Sequence, residues 1–223
     1  MENSLLIVGT SHISSESVKQ VKNAFKDFNP DIIALELDQN RAHALLHDTK
    51  RPKNITLLKT LGMGGFLFFL FGELVQRKIG KIVNIEPGKE MLTGLRLGMK
   101  NNCKIALIDR RIDVTLQRFS KYFKKRELIK FIFDIIFSPF NKNDIGKIDF
   151  TKVPQSQIID KVMKHVKHRY PSLFKILIDE RDRYMAKHLL LIMKDNPEKK
   201  ILAVVGAGHV KGIKKYLEKL FVV

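Results

Sequence analysis

The sequence predicts an α/β fold in which a largely parallel central sheet, built from βαβ-type units, is surrounded by many helices. Three observations carry this. Short apolar runs with no polar alternation (Leu5-Leu6-Ile7-Val8, Ile32-Ile33-Ala34-Leu35, Ile105-Ala106-Leu107-Ile108 and Ile201-Leu202-Ala203-Val204-Val205) read as strands buried on both faces. The stretches between them carry helical periodicity, and strand, helix and second strand fit within the first forty residues, as in a βαβ unit with parallel strands. The first and last strands also end alike, in Gly9-Thr10-Ser11-His12 and Gly206-Ala207-Gly208-His209.

With 13 glycines and 7 histidines, random placement gives roughly 0.4 Gly-x-x-His pairs. Two copies, each closing a buried strand, are therefore unusual. Ligands of open α/β sheets bind beyond the carboxyl ends of the strands. The repeat thus places His12 and His209 where one pocket can use both, unless each is an exposed histidine at a strand-to-helix turn.

After His12, Ser14 is the expected N-cap of a helix with Glu16 in its first turn. Val18, Val21, Ala24, Phe25 and Phe28 recur on one face, and Asn29-Pro30 ends it. Residues 31–38 form the second strand. Glu36, an acid in an apolar strand, must bind a metal, pair with a base such as Arg41, or sit at an exposed strand end. A short helix from Asn40 carries His43 and His47 without the glutamate of a His-Glu-x-x-His site. Residues 55–80 form one or two very apolar helices broken by Gly62, Gly64 and Gly65. They read as core, a dimer seam or a membrane-facing surface.

Pro87-Gly88 precedes a helix over 89–100, and the third strand, 104–108, ends in Asp109-Arg110-Arg111. Helices are expected at 113–125 and 127–137, then a loop at 140–154, the one credible internal linker. Helices over 155–169 and 172–194 flank Pro171, and the second holds Asp179-Glu180-Arg181-Asp182-Arg183-Tyr184, a run that by default is a solvated face with i,i+4 pairing. The last strand and an amphipathic helix close the sequence.

Composition narrows the function. Hydrophobic residues at 44% and charged ones at 29% exclude wholesale disorder. A single cysteine, Cys103, excludes an intramolecular disulfide and a thiolate zinc site. A net charge of +18 favours anionic partners, an acidic membrane surface among them, or reflects lysine-rich solvated helices. Nucleic acid is not expected, because the lysines lie along helices without interleaved aromatics and tryptophan is absent. No signal peptide is visible, and the most apolar window, residues 63–71, is about half of a bilayer span. The sequence as given therefore reads as cytoplasmic or membrane-associated, not integral, and its apolar helices suggest a homo-oligomer. Walker, Gly-x-Gly-x-x-Gly and Gly-x-Ser-x-Gly motifs are missing.

Taken in order, Gly9-Thr10-Ser11-His12, Ser14-Ser15-Glu16-Ser17, Glu36-Leu37-Asp38 with Arg41, Gln76-Arg77-Lys78-Ile79-Gly80, Pro87-Gly88-Lys89-Glu90-Met91, Asp109-Arg110, Glu180-Arg181-Asp182-Arg183-Tyr184 and Gly206-Ala207-Gly208-His209 resemble the TraB family. That family includes the PrgY pheromone-shutdown proteins and is related to the Tiki metalloproteases. The resemblance covers essentially the whole sequence, read as a single α/β domain over 1–223, and implies two βαβ-type lobes around one cleft; the loop 140–154 is the place its composition offers for a lobe boundary. It also implies a metal-dependent peptidase whose metal site uses His12, His209 and Glu36. Many prokaryotic members carry membrane-spanning helices after this region, so the sequence is expected to be the soluble portion of a longer protein.

The chemistry agrees with that expectation. Two imidazoles and a carboxylate with an open position hold a divalent ion (manganese, cobalt or zinc) that acidifies water and polarises a peptide carbonyl. Glu180 or Asp109 then serves as proton acceptor. Arg110 or Arg181 stabilises an oxyanion or grips a peptide carboxylate. Thr10, Ser11 and Arg41 are assigned to substrate contact. The alternative is a non-catalytic peptide-binding or membrane-associated regulatory protein using the same cleft.

Overall fold

The structure, a computed structural model, describes residues 4–11, 15–47, 88–124, 126–127, 129–130, 133–134 and 156–221. The strands are β1 (Leu5–Thr10), β2 (Ile32–Leu35), β3 (Lys104–Leu107) and β4 (Ile201–Gly206). The α-helices are α1 (Ser15–Phe28), α2 (Gln39–His47), α3 (Lys89–Lys100), α4 (Ile112–Tyr122), α5 (Ser156–Arg169), α6 (Pro171–Phe174), α7 (Glu180–Asp195) and α8 (Ala207–Phe221). The expected α/β class holds: the strands form one parallel sheet in the order β1-β4-β2-β3.

The last strand lies at the centre. β4 pairs with β1 on one side and β2 on the other, so the strands of the first βαβ unit are parallel but not neighbours. All six β4 residues are buried, the reason Ile201–Val205 is a continuous apolar run. Successive side chains alternate between faces. Ile201, Ala203 and Val205 pack with Ile213 and Leu217 of α8 and Met185, Ala186 and Leu189 of α7. Leu202 and Val204 pack on the other face with Val21 and Phe25 of α1 and Met91 and Leu95 of α3. Helices thus cover both faces.

Thr10 stands opposite Gly206 in the β1–β4 register, so Gly9 and Gly206 lie on adjacent strands, one residue out of step. Close approach explains Gly9: a β-carbon there would stand 2.7 Å from Val210 Cγ2 and 3.1 Å from the Ala207 Cα of α8.

The expected helix over 172–194 is not one uniform α-helix. It is the single turn α6, a π-helical turn (Lys175–Asp179), and then α7. A π turn shifts every later side chain around the axis relative to an unbroken α-helix, and such turns are frequent at functional sites. The sequence offers no glycine or proline inside 172–194 to announce it. His12, the Ser14 cap, the apolar stretch 55–80 and the loop 140–154 lie outside the described residues, as does most of the helix expected at 127–137.

Candidate functional site

A buried polar cluster lies beyond the carboxyl ends of β2, β3 and β4, where a parallel sheet is expected to bind ligands. Glu36 follows the last residue of β2, and its backbone N–H still bonds the Val204 carbonyl of β4. Its side chain is 4% exposed, and Oε2 accepts the Gly206 N–H at 2.6 Å. The apolar strand therefore carries an acid because that acid seals the end of the neighbouring strand, next to the second Gly-x-x-His segment.

Asp109 lies two residues past β3, and its N–H bonds the Leu37 carbonyl just beyond the end of β2. Burial alone would push its carboxyl up, but Arg181 and then Arg41 overcome this and hold it at about 2. Asp38 caps α2 by accepting the Arg41 N–H at 3.0 Å and binds that residue's Nε at 2.7 Å. Arg41 also pairs with Asp109, while the base that meets Glu36 is Arg181.

Arg181, on the first turn of α7, is the hub. Nη2 bonds Glu36 Oε1, and also Asp109 Oδ2 at 2.6 Å; Nε meets Asp109 Oδ1 at 3.1 Å. Nη1 donates to the Leu177 carbonyl of the π turn at 3.2 Å and lies 3.1 Å from His209 Nε2. Burial disfavours its charge, yet Glu36 and Asp109 hold the guanidinium more firmly protonated than usual. His209, in the first turn of α8, is 5% exposed; its Nδ1 lies 2.6 Å from Asp182 Oδ1, and its Nε2 lies 3.4 Å from Glu36 Oε1.

Glu36, Asp109, Arg181, Arg41 and His209 therefore meet in one buried cluster. Glu180 and Arg110 face elsewhere: they form an adjoining cluster in which Arg110 bonds Glu180 at 3.0 Å, Thr115 Oγ1 at 2.9 Å and the Ile176 carbonyl at 2.6 Å. Arg118 binds both Glu180 oxygens. Burial would raise the Glu180 carboxyl, but Arg118 and Arg110 bring it below its ordinary range, which suits a structural anchor better than a proton acceptor. Thr10 is buried and its hydroxyl donates to the Val205 carbonyl at 3.2 Å. The Ser11 backbone bonds in both directions with the Ser17 hydroxyl, at 3.0 and 2.8 Å.

Sequence reasoning missed Asp38, Asp182 and Arg118. The signal for Asp182 was present: with Met185, Ala186 and Leu189 it occupies i, i+3, i+4 and i+7, the buried stripe of α7. His209, Ile213 and Leu217 form the matching stripe on α8.

Whether the donors suit a divalent ion can be tested on distance. Tetrahedral ligands at about 2.0–2.1 Å from an ion lie about 3.3 Å apart, and His209 Nε2 and Glu36 Oε1 are 3.4 Å apart. These two fit, provided Arg181 withdraws from between them. Among the described residues no group of three histidine, cysteine or acidic side chains converges for a metal ion, and His12 is outside them. No helix among the described residues is long and apolar enough to cross a membrane.

A model of the TraB/PrgY/gumN family matches residues 2–221. An uncharacterized protein of Methanocaldococcus jannaschii is 36% identical over 222 residues, covering 98% of this chain and 54% of that protein. TraB domain-containing proteins of Bos taurus and Homo sapiens are 26% identical over 233 residues, covering 94% of this chain and 61% of theirs. The chain thus spans less than two thirds of the length of each of these relatives. With nearly every residue inside the match, the chain belongs to the TraB/PrgY/gumN family.

Proposed function

We propose that this chain is a metal-dependent hydrolase acting on peptides. The observation that supports it is the pair His209 Nε2 and Glu36 Oε1, 3.4 Å apart at the strand ends, each fixed from behind by a buried partner. His209, Glu36 and His12 would hold a divalent ion, which when bound supplies Lewis acidity and acidified water. Peptide hydrolysis is the reaction implied by the resemblance to the Tiki metalloproteases.

The chain's own groups have distinct parts in this reading. Glu36 is anchored through Oε2 by Gly206, leaving Oε1 toward the site. Arg181, once withdrawn from Glu36, offers guanidinium donors to a substrate carbonyl or carboxylate. Asp109 stays ionised and keeps Arg181 within reach of the site.

The test is cleavage of a peptide library by purified protein with Mn²⁺, Co²⁺ or Zn²⁺, beside His209→Ala, His12→Ala and Glu36→Gln. The reading expects metal-dependent turnover that each substitution abolishes. Equal turnover in all four proteins overturns it. Peptide binding that survives chelation, with no turnover, would instead establish a non-catalytic binding protein.

A further inference from the structure

We propose that Asp182 is a positioning residue that fixes the tautomer and orientation of His209 from behind, in a space that Gly212 keeps open. Two contacts on opposite sides of the ring require the same tautomer. Arg181 Nη1 lies 3.1 Å from Nε2, and a guanidinium has only donors, so Nε2 must present its lone pair. The ring proton then resides on Nδ1, where Asp182 Oδ1 accepts it at 2.6 Å. The 3.4 Å separation of Nε2 from Glu36 Oε1 agrees, since two acceptors do not form a hydrogen bond.

The fold makes room for this pair. Asp182 is 3% exposed and His209 5%, each on the buried stripe of its helix where an apolar residue is the ordinary occupant. A β-carbon at residue 212 would stand 2.5 Å from Asp182 Cγ and 3.1 Å from Asp182 Cβ, and would overlap Oδ2. Any side chain there drives the carboxylate away from the imidazole or parts α7 from α8. Gly212 follows His209 by three residues, on the same side of α8. The aspartate and the glycine are thus one device for a single imidazole.

The consequence, which rests on the hydrolase reading, is that Nε2 already presents its lone pair, accepting from Arg181 and 3.4 Å from Glu36 Oε1, before any ion arrives. Outer-shell carboxylates of this kind set ligand orientation and basicity, and losing one typically lowers metal affinity 10–100-fold.

The test separates the two ideas. In metal-free wild-type protein, at a pH where histidines are neutral, NMR should show a slowly exchanging, strongly deshielded Nδ1 proton on a ring whose Nε2 is unprotonated. Its assignment is checked by its loss in His209→Ala. Asp182→Ala and Gly212→Ala should each remove that signal and weaken Mn²⁺ or Co²⁺ binding in calorimetry by 10–100-fold. Asp182→Asn, which keeps the volume and a weaker acceptor, should retain the fold, move the resonance upfield and weaken binding by less. A wild-type ring protonated on Nε2, or an Asp182→Ala protein with the Nδ1 proton and the affinity unchanged, overturns the proposal. Should wild-type protein bind no ion, the hydrolase reading fails, while the proton signal and its loss in the variants still decide the role of Asp182.

Discussion

Replacing Arg181 by methionine should destabilise the fold by about 3–5 kcal/mol, the usual penalty for removing one partner of a buried ion pair. The structure places this change at the severe end of the mutational range. Glu36 and Asp109 are 4% and 1% exposed at their side chains, and Arg181 is bonded to both. The same substitution frees the Leu177 carbonyl and the His209 Nε2 lone pair. Arg41 still reaches Asp109, so the greater part of the loss falls on Glu36. Urea unfolding at neutral pH measures it directly. The account adds a second expectation: a divalent ion taking the vacated place should restore stability, by about 2.7 kcal/mol at one hundred times its dissociation constant. A loss below about 1 kcal/mol would show that Arg181 does not compensate the buried acids, and the reading of the cluster would fail with it.

Acid should unfold the protein partly through Asp109. Its folded value, about 2, lies below the ordinary 3.8, so its contribution of about 2 kcal/mol is complete above pH about 4 and is lost as pH falls towards about 2. Glu180, also lowered, acts in the same sense. Asp182 acts oppositely, because burial outweighs His209 and raises it; stability from that group is lost as pH rises through its folded value. Acid titrations of wild type and Asp109→Asn should therefore converge as pH falls; parallel curves would refute the assignment. Gly9→Ala should cost about 1–3 kcal/mol, because the new methyl meets Val210 and the Ala207 backbone; an unchanged melting temperature would show that α8 can yield there.

The sheet was readable because buried parallel strands are written as unbroken apolar runs, and Ile32–Leu35 and Ile201–Val205 are both of that kind. Strand order was not. Nothing local in Ile201–Val205 says that the last strand inserts between β1 and β2 rather than beside one of them. Glu36, Asp109 and His209 stood out because each is ionisable at an apolar strand's end. Asp182 was hidden in a charge run whose default is a solvated face, although its phase with Met185 and Ala186 marks it as inward. Arg110 and Arg181 looked equivalent in the sequence. They separate in space: Arg110 pairs with Glu180 and Thr115, Arg181 with Glu36 and Asp109, around a π turn that no glycine or proline foretells.

The central claim is that the two histidine-bearing strand ends and Glu36 converge on one ion. Crystals grown with Mn²⁺ and measured for anomalous scattering test it most directly. The account predicts a single peak within about 2.0–2.3 Å of Nε2 of His209, an oxygen of Glu36 and a ring nitrogen of His12, with Arg181 moved aside. A fully loaded crystal with no peak there, or a His12 ring turned into solvent while Arg181 stays on Glu36, would contradict it.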